Sequence, residues 1–325
     1  MNQKPFLPLS QQITLLKTRN LTFVNEVKAA ERITSDGYYE IINGYQEPFL
    51  SSTDCFIDGT TFEEIYALYF TDSRIRIAVI DSLINFENSL KQYLSYLLSE
   101  RHTELFEKYI SPSVFRSGKK LSSPTSKKGL FYDRDLLFSK FKMIKNSRFE
   151  PFKNYRTNHG NVPPWILLKG IDFGTLRLAI TILNPTDKLL LAKRLLKKEI
   201  VDTHDDQELI ELFSSIIFLT HKFRNRAAHG GRIYNYFTKK KISYNSRLYS
   251  DSCISKTSVK NNKHPNTSLF VLFNMLSYTN AANSFLLLKS GIHEALQAYK
   301  QDNKNQIPYL MKAMGFPENY DLEQL

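Results

Sequence analysis

His221-Lys-Phe-Arg-Asn-Arg-Ala-Ala-His-Gly-Gly-Arg-Ile-Tyr-Asn235 closes an apolar segment, and its reading decides the fold. Before it, Leu209, Leu212, Phe213, Ile216, Ile217 and Phe223 recur at spacings of three, four and seven, the pattern of an amphipathic helix with one face on a core. Gly230-Gly231 then stops that helix, because glycine enters the left-handed region without steric penalty. At about 100° per residue Asn225 and His229 share a face, whereas Arg224 points roughly 140° away from His229. Three arginines and two histidines at the end of one helix place the candidate chemistry there.

The 325 residues suffice for two domains or one elaborate one, and 42% hydrophobic content supplies a core. The longest apolar runs, such as Ile216–Leu219 and Phe285–Leu288, fall far short of the roughly 20 residues that span a membrane. The stretch from Met1 to Ser10 lacks the apolar core of a secretion signal, so residence in the cytoplasm is expected. Cys55 and Cys253 are far apart and carry no metal-ligand spacing. Free thiols are expected, with no metal and no cofactor. A net charge of +12 points to a polyanionic partner.

Along the chain the periodicity is helical. Ser10 to Arg19 forms a short helix, Asn25 caps a second that runs to about Ile33, and Gly37 to Phe49 is an aromatic run. Tyr38, Tyr39 and Tyr45 there either pack and hydrogen-bond a small helical subdomain or stack on RNA bases. Thr60 and Glu63 have capping-box spacing, so a helix starts there and continues towards Phe70. Val79, Leu83, Phe86, Leu90, Tyr93 or Leu94, and Leu97 mark the strongest helix. Pro163-Pro-Trp165 starts another, with Trp165 as an anchor of the bundle and Phe173-Gly174 as a close helix contact or break. Asn184 to Asp187 is a turn and cap before a helix from Lys188 to Ile200, and the runs from Leu269, Ala281 and Pro308 give the last helices. Strand-like stretches are confined to Tyr38–Ile42 and Ile242–Leu248.

Between Ser111 and Gly160, twelve lysines and arginines face three acids, Asp133, Asp135 and Glu150. Ser122–Pro124 and Gly129 suggest a loop, and Asp133 to Lys145 a short helix. The interleaved aromatics suit single-stranded nucleic acid, where phosphates meet charge and bases meet rings. The competing reading is a solvated excursion whose aromatics dock on the core. Lys239-Lys-Lys241 with Tyr234, Tyr236 and Tyr244 forms a second basic and aromatic strip.

Arg224-Asn-Arg-Ala-Ala-His229 resembles the R-x4-H motif of the HEPN superfamily. With Arg232, Tyr234 and Asn235 added, the run is similar to the signature of the Abi-like family of bacterial abortive-infection proteins, and the aromatic run and Pro163-Pro-Trp165 fall in family order. This chain departs at Gly230, where the family carries a second histidine. The resemblance implies a mainly α fold: a HEPN-like helical bundle over 61–325 with a basic insertion at about 111–160, and a small helical N-terminal subdomain over 1–60. It implies an anti-phage, metal-independent endoribonuclease acting on single-stranded RNA, with Arg224, Asn225 and His229 catalytic. Arg226, Arg232, Tyr234, Asn235, Lys239, Lys240 and Lys241 would bind RNA, and the working unit would be a homodimer. Glu87 would either orient Arg224 or be a plain structural carboxylate. The alternative function is a non-cleaving protein that holds a structured non-coding RNA, as in a toxin-antitoxin complex.

Overall fold

The computed structural model describes residues 6–121, 131–260, 266–318 and 320–321, and the fold is mainly α. In chain order, α1 (Leu9–Thr18) and α2 (Glu26–Asp36) precede a hairpin of β1 (Leu50–Ser52) and β2 (Cys55–Phe56). Next come α3 (Phe62–His102), the single turn α4 (Phe106–Tyr109), the paired β3 (Lys120–Leu121) and β4 (Phe131–Tyr132), then α5 (Asp133–Lys145) and α6 (Phe152–His159). α7 (Pro164–Leu167), α8 (Phe173–Ile182), α9 (Pro185–Leu195) and α10 (Lys198–Val201) lead to α11 (Asp206–Ala228). The chain ends through α12 (Ser246–Asp251), α13 (Lys256–Lys260), α14 (Leu269–Ser277), α15 (Ala282–Asn303) and α16 (Ile307–Ala313). The loop expected around Ser122–Gly129, with Lys127 and Lys128, lies outside the described residues, as do part of the polar stretch at 261–265 and Lys4-Pro5. Among the described residues no helix is long and apolar enough to cross a membrane.

The two helices read around Phe70 and Leu90 are one helix of 41 residues. Val79, Leu83, Phe86, Leu90, Leu94 and Leu97 are all fully buried, which decides between Tyr93 and Leu94. The capping box sits one residue later than expected. Glu64 Oε2 accepts from the Thr61 amide at 2.8 Å, and Thr61 Oγ1 accepts from the Glu64 amide at 3.2 Å. Glu63 turns instead to the amides of Val24 and Asn25, at 3.0 and 3.1 Å, just ahead of α2. The expected strand at Tyr38–Ile42 is a wide helical turn, Tyr39–Asn43, and Ile242–Leu248 runs without strand pairing into α12. In both places local β propensity loses to burial of Ile41, Ile42, Leu248 and Tyr249 in helical surroundings.

Two compact units divide the chain. The first takes Met1–Ala78, Gly230–Tyr236 and Lys289–Leu325; the second takes Val79–His229 and Phe237–Leu288. In the first unit a Cβ on Gly291 would meet the Ala78 Cβ at 2.3 Å, so α15 approaches α3 at a distance that glycine alone permits. In the second unit Ser82 Oγ donates to the Ser284 carbonyl at 2.7 Å, and α11 packs on α8, α9 and α14. Asp187, fully buried in the first turn of α9, gathers Arg101 Nε and His102 Nε2 at 2.5 Å each and Asn184 Nδ2 at 2.7 Å. α5 has the expected bounds and buries Leu137 and Phe141, with Phe115 edge-on to Phe138 and Phe141. Several of the insertion's cations are engaged within this unit: Lys140 Nζ donates to Thr175 Oγ1 at 2.8 Å, and Arg156 Nη1 donates to the carbonyls of Lys145 and Ser147.

Within the first unit the fully buried Asp72 collects three donors. The Tyr45 hydroxyl reaches Oδ2 at 2.6 Å, and the amides of Ile233 and Tyr234 reach Oδ1 at 3.0 and 2.7 Å. Burial pushes its carboxyl up from the ordinary value, and these hydrogen bonds and Arg76 pull against that rise. Replacing Asp72 with Ala orphans all three donors. At about 1–3 kcal/mol for an unsatisfied buried group, Asp72→Ala is expected to lower stability by at least about 3 kcal/mol in urea denaturation. Asp72→Asn, which keeps an acceptor for the two amides, should lose less than half of that; equal losses would show that the amide bonds do not matter.

Candidate active site

The motif helix α11 is locally well specified. Asp205 Oδ1 accepts from the Glu208 amide at 2.8 Å and Glu208 Oε2 accepts from the Asp205 amide at 3.1 Å, a reciprocal cap. Leu209, Leu212, Phe213, Ile216, Ile217 and Phe223 are buried, as their spacing predicts. The helix ends at Ala228; His229 is the C-cap, its amide bonded to the Asn225 carbonyl at 3.1 Å, and Gly230 follows at φ +71°. A β-carbon at 230 would meet nothing nearer than Arg76 Nη1 at 3.7 Å, so backbone conformation, not space, favours glycine there.

Phe223 and Ala227 anchor the last turns, which leaves Arg224 and Asn225 half-buried and Arg226 and His229 exposed. Asn225 is held from both ends: Nδ2 donates to His221 Nε2 at 3.2 Å, and Oδ1 faces Arg224 Nη1 at 3.5 Å. Arg224 Nε lies 3.9 Å from Glu87 Oε2, while Glu87 Oε1 takes Lys91 Nζ at 2.8 Å, and Lys91 also donates to the Ile171 carbonyl. The buried Glu87 thus has Lys91 as its hydrogen-bonded partner and holds Arg224 by charge alone. The His229 imidazole has no hydrogen-bond partner among the described residues. Arg224, Asn225, His221 and Glu87 form one web, and His229 stands outside it in solvent.

His221 received no role from its sequence position. Burial, reinforced by the cations Arg177, Lys222 and Arg224 and opposed by Asp172, lowers its pKa to about 4. The ring is therefore neutral at pH 7. Because the Asn225 amide donates to Nε2, the proton sits on Nδ1, which is buried without a hydrogen-bond partner among the described residues. Phe173 meets the ring edge-on with centroids 5.5 Å apart. The one available signal was the four-residue step from His221 to Asn225, which stacks the two side chains on one helix face.

The expected RNA-binding residues separate. Tyr234 is fully buried, its ring stacked on Tyr45 at 5.9 Å, so its place on an RNA surface is withdrawn: no face of the ring meets solvent. Arg232 Nη1 donates to the Gly44 carbonyl, inside the first unit. Asn235 is half-buried. Lys239, Lys240 and Lys241 are exposed, with Lys240 Nζ over the Phe218 ring at 5.4 Å. Trp165, expected in the core, is 40% exposed, because Pro164, Ile166 and Leu167 take the inward side of their turn.

A family model described as Abi-like protein matches residues 31–235, from α2 through the motif helix to Asn235. No curated protein and no solved structure matches the chain.

The lowered His221 pKa fixes a sign. Between pH 6.5 and about 4 the unfolded chain takes up a proton that the folded ring refuses, so this contribution to stability is fully present above pH 6.5 and is lost as pH falls towards 4. His221→Gln should flatten the dependence of melting temperature on pH across that window. An unchanged slope would mean that other groups carry it.

Proposed function

Since the chain belongs to the Abi-like protein family and is thus of abortive-infection type, we propose that it acts as a HEPN-type, metal-independent endoribonuclease on single-stranded RNA. The observation that carries this reading is the split at the end of α11: a braced Arg224–Asn225 pair on one side and, on the other, an exposed His229 whose ring has no hydrogen-bond partner among the described residues. A ribose 2′-OH attacks the adjacent phosphorus and loses its proton to a base, a pentacoordinate charge develops, and the 5′-oxygen leaves with a proton from an acid. His229 moves the proton, the Arg224 guanidinium stabilises the phosphoryl oxygens, and Asn225 is an orienting hydrogen-bond partner, itself bonded to Arg224 and His221. Arg226 and Lys239–Lys241 offer exposed charge to the flanking backbone.

Arg224 and His229 diverge around the helix, so a phosphate is gripped from two sides more readily when a second copy supplies the missing face. A two-fold homodimer does this, since each residue then meets the equivalent patch of its partner. The second reading is RNA holding without cleavage, the partner being a structured non-coding RNA. Gly230, standing where the family carries a histidine and at a φ that suits glycine, favours it.

Cleavage of labelled RNA in EDTA is expected, and Arg224→Ala and His229→Ala should each slow it by about 100-fold or more with circular dichroism unchanged. Cleavage by His229→Ala at the wild-type rate removes His229 from the mechanism, and tight binding without cleavage favours the second reading. Mixing the two variants should restore activity in heterodimers; a monomer at concentrations where RNA is cut overturns the shared site.

A second expectation concerns salt. Neutralising Lys239, Lys240 and Lys241 together should flatten the slope of log K for RNA against log salt, by up to roughly 0.7 for each phosphate that these lysines pair with. An unaltered slope places the RNA elsewhere.

A further inference from the structure

A cavity of about 730 Å³ opens beside the C-terminal half of α3, walled by Tyr93, Tyr96, Trp165 and Arg194. A smaller one of about 190 Å³ adjoins it through the shared Gln92, Ser95 and Trp165 and adds Lys91 and Lys169. We propose that this groove is a nucleobase-binding pocket that receives an unpaired base of the RNA strand next to the candidate active site. The proposal rests on the RNA reading above and adds where and how the strand is held.

Three observations converge on it. First, two large rings are left in solvent, Trp165 at 40% and Tyr96 at 65% exposure. Base stacking on such rings is tolerant of sequence, because every base has a π face. Second, the Arg194 guanidinium lies 5.2 Å over the Tyr96 ring and is paired through Nη2 with Glu100, so a flat cationic group is already fixed at the wall. The exposed Gln92 amide supplies a donor and an acceptor for base edges, and Lys169 is exposed for a phosphate. This mixture fits a heteroaromatic anion better than the side chains of an apolar protein partner. Third, the groove is connected to the site. Lys91, which lines it, is held at 2.8 Å by Glu87, and Glu87 lies 3.9 Å from Arg224 Nε. Along α3, Tyr96 is nine residues beyond Glu87, a rise of about 13.5 Å and, at about 100° per residue, half a turn around the helix, so a strand that meets both crosses the flank of α3 past Lys91 and Gln92.

Trp165 is the sole tryptophan of the chain, so intrinsic fluorescence reports this groove directly. The experiment titrates the full-length protein with a short fluorescein-labelled 2′-O-methyl oligoadenylate, with binding followed by anisotropy and Trp165 emission followed with the unlabelled strand. An abasic strand of the same length, adenosine 5′-monophosphate and Tyr96→Ala are the comparisons. Saturable quenching is expected with the oligoadenylate, with binding about tenfold weaker for the abasic strand and for Tyr96→Ala. Tyr96 is exposed, so its truncation leaves the fold intact. A strand that binds by anisotropy while Trp165 emission stays constant overturns the pocket and leaves the RNA reading standing. Absence of any strand binding overturns both. Quenching by the monophosphate at lower concentration than by the strand would make the ligand a free nucleotide, and quenching on concentrating the protein alone would make it a second copy of the chain; either result overturns the proposal.

Discussion

A carboxylate with no access to water organises the first unit. Asp72 is fully buried, and a buried charge persists only when its lone pairs are met. The Tyr45 hydroxyl and the amides of Ile233 and Tyr234 meet them, and the segment Gly230–Tyr236 is thereby tied to α3 within that unit. Arg232 to the Gly44 carbonyl, Arg76 to the Gly230 carbonyl, and the stacking of Tyr234 on Tyr45 are consistent with the same tie. Arg232, Ile233 and Tyr234, which follow the R-x4-H motif, thus each make a contact that serves the fold of this unit. Their side chains and backbone anchor a chain segment that has no secondary structure of its own.

The second unit treats its charges differently. Glu87 holds Lys91 at hydrogen-bond distance and Arg224 at 3.9 Å, so the arginine keeps its orientation without being consumed by a tight ion pair. His221, kept neutral by burial and by surrounding cations, accepts from Asn225 in place of competing for the carboxylate. The arrangement pre-orders the polar end of α11 through contacts within its own unit. His229, at the C-cap, is left to solvent and to the negative end of the helix dipole.

Much of this was legible in the chain, and the misses share a cause. The buried stripe of α11, the Asn25 and Asn184 caps and the bounds of α5 follow from spacing and from residues that satisfy nearby amides. Thr60 and Glu63 pointed to a cap one residue early, because nothing local says that Glu63 is claimed by the amides of Val24 and Asn25, 39 and 38 positions away. Trp165 was read as core and Tyr234 as surface for the same reason: which side of a turn faces inward is set by distant partners, Tyr45 and Asp72 for the second of these. His221 stands three residues ahead of the motif, and its neutral ring follows first from burial and then from Arg177, Lys222 and Arg224, which the spacing alone does not show.

The placement of Trp165 makes the protein a natural two-probe system. Its emission belongs to the second unit, whereas helical ellipticity sums over both, and α3 and α15 each contribute residues to both. Coincident melting curves by the two signals would mean that these shared helices weld the chain into one cooperative unfolding transition. Curves that part would mean that the first unit can open while the second persists. The gap between them would then measure, in free energy, how strongly one half of this chain senses the other.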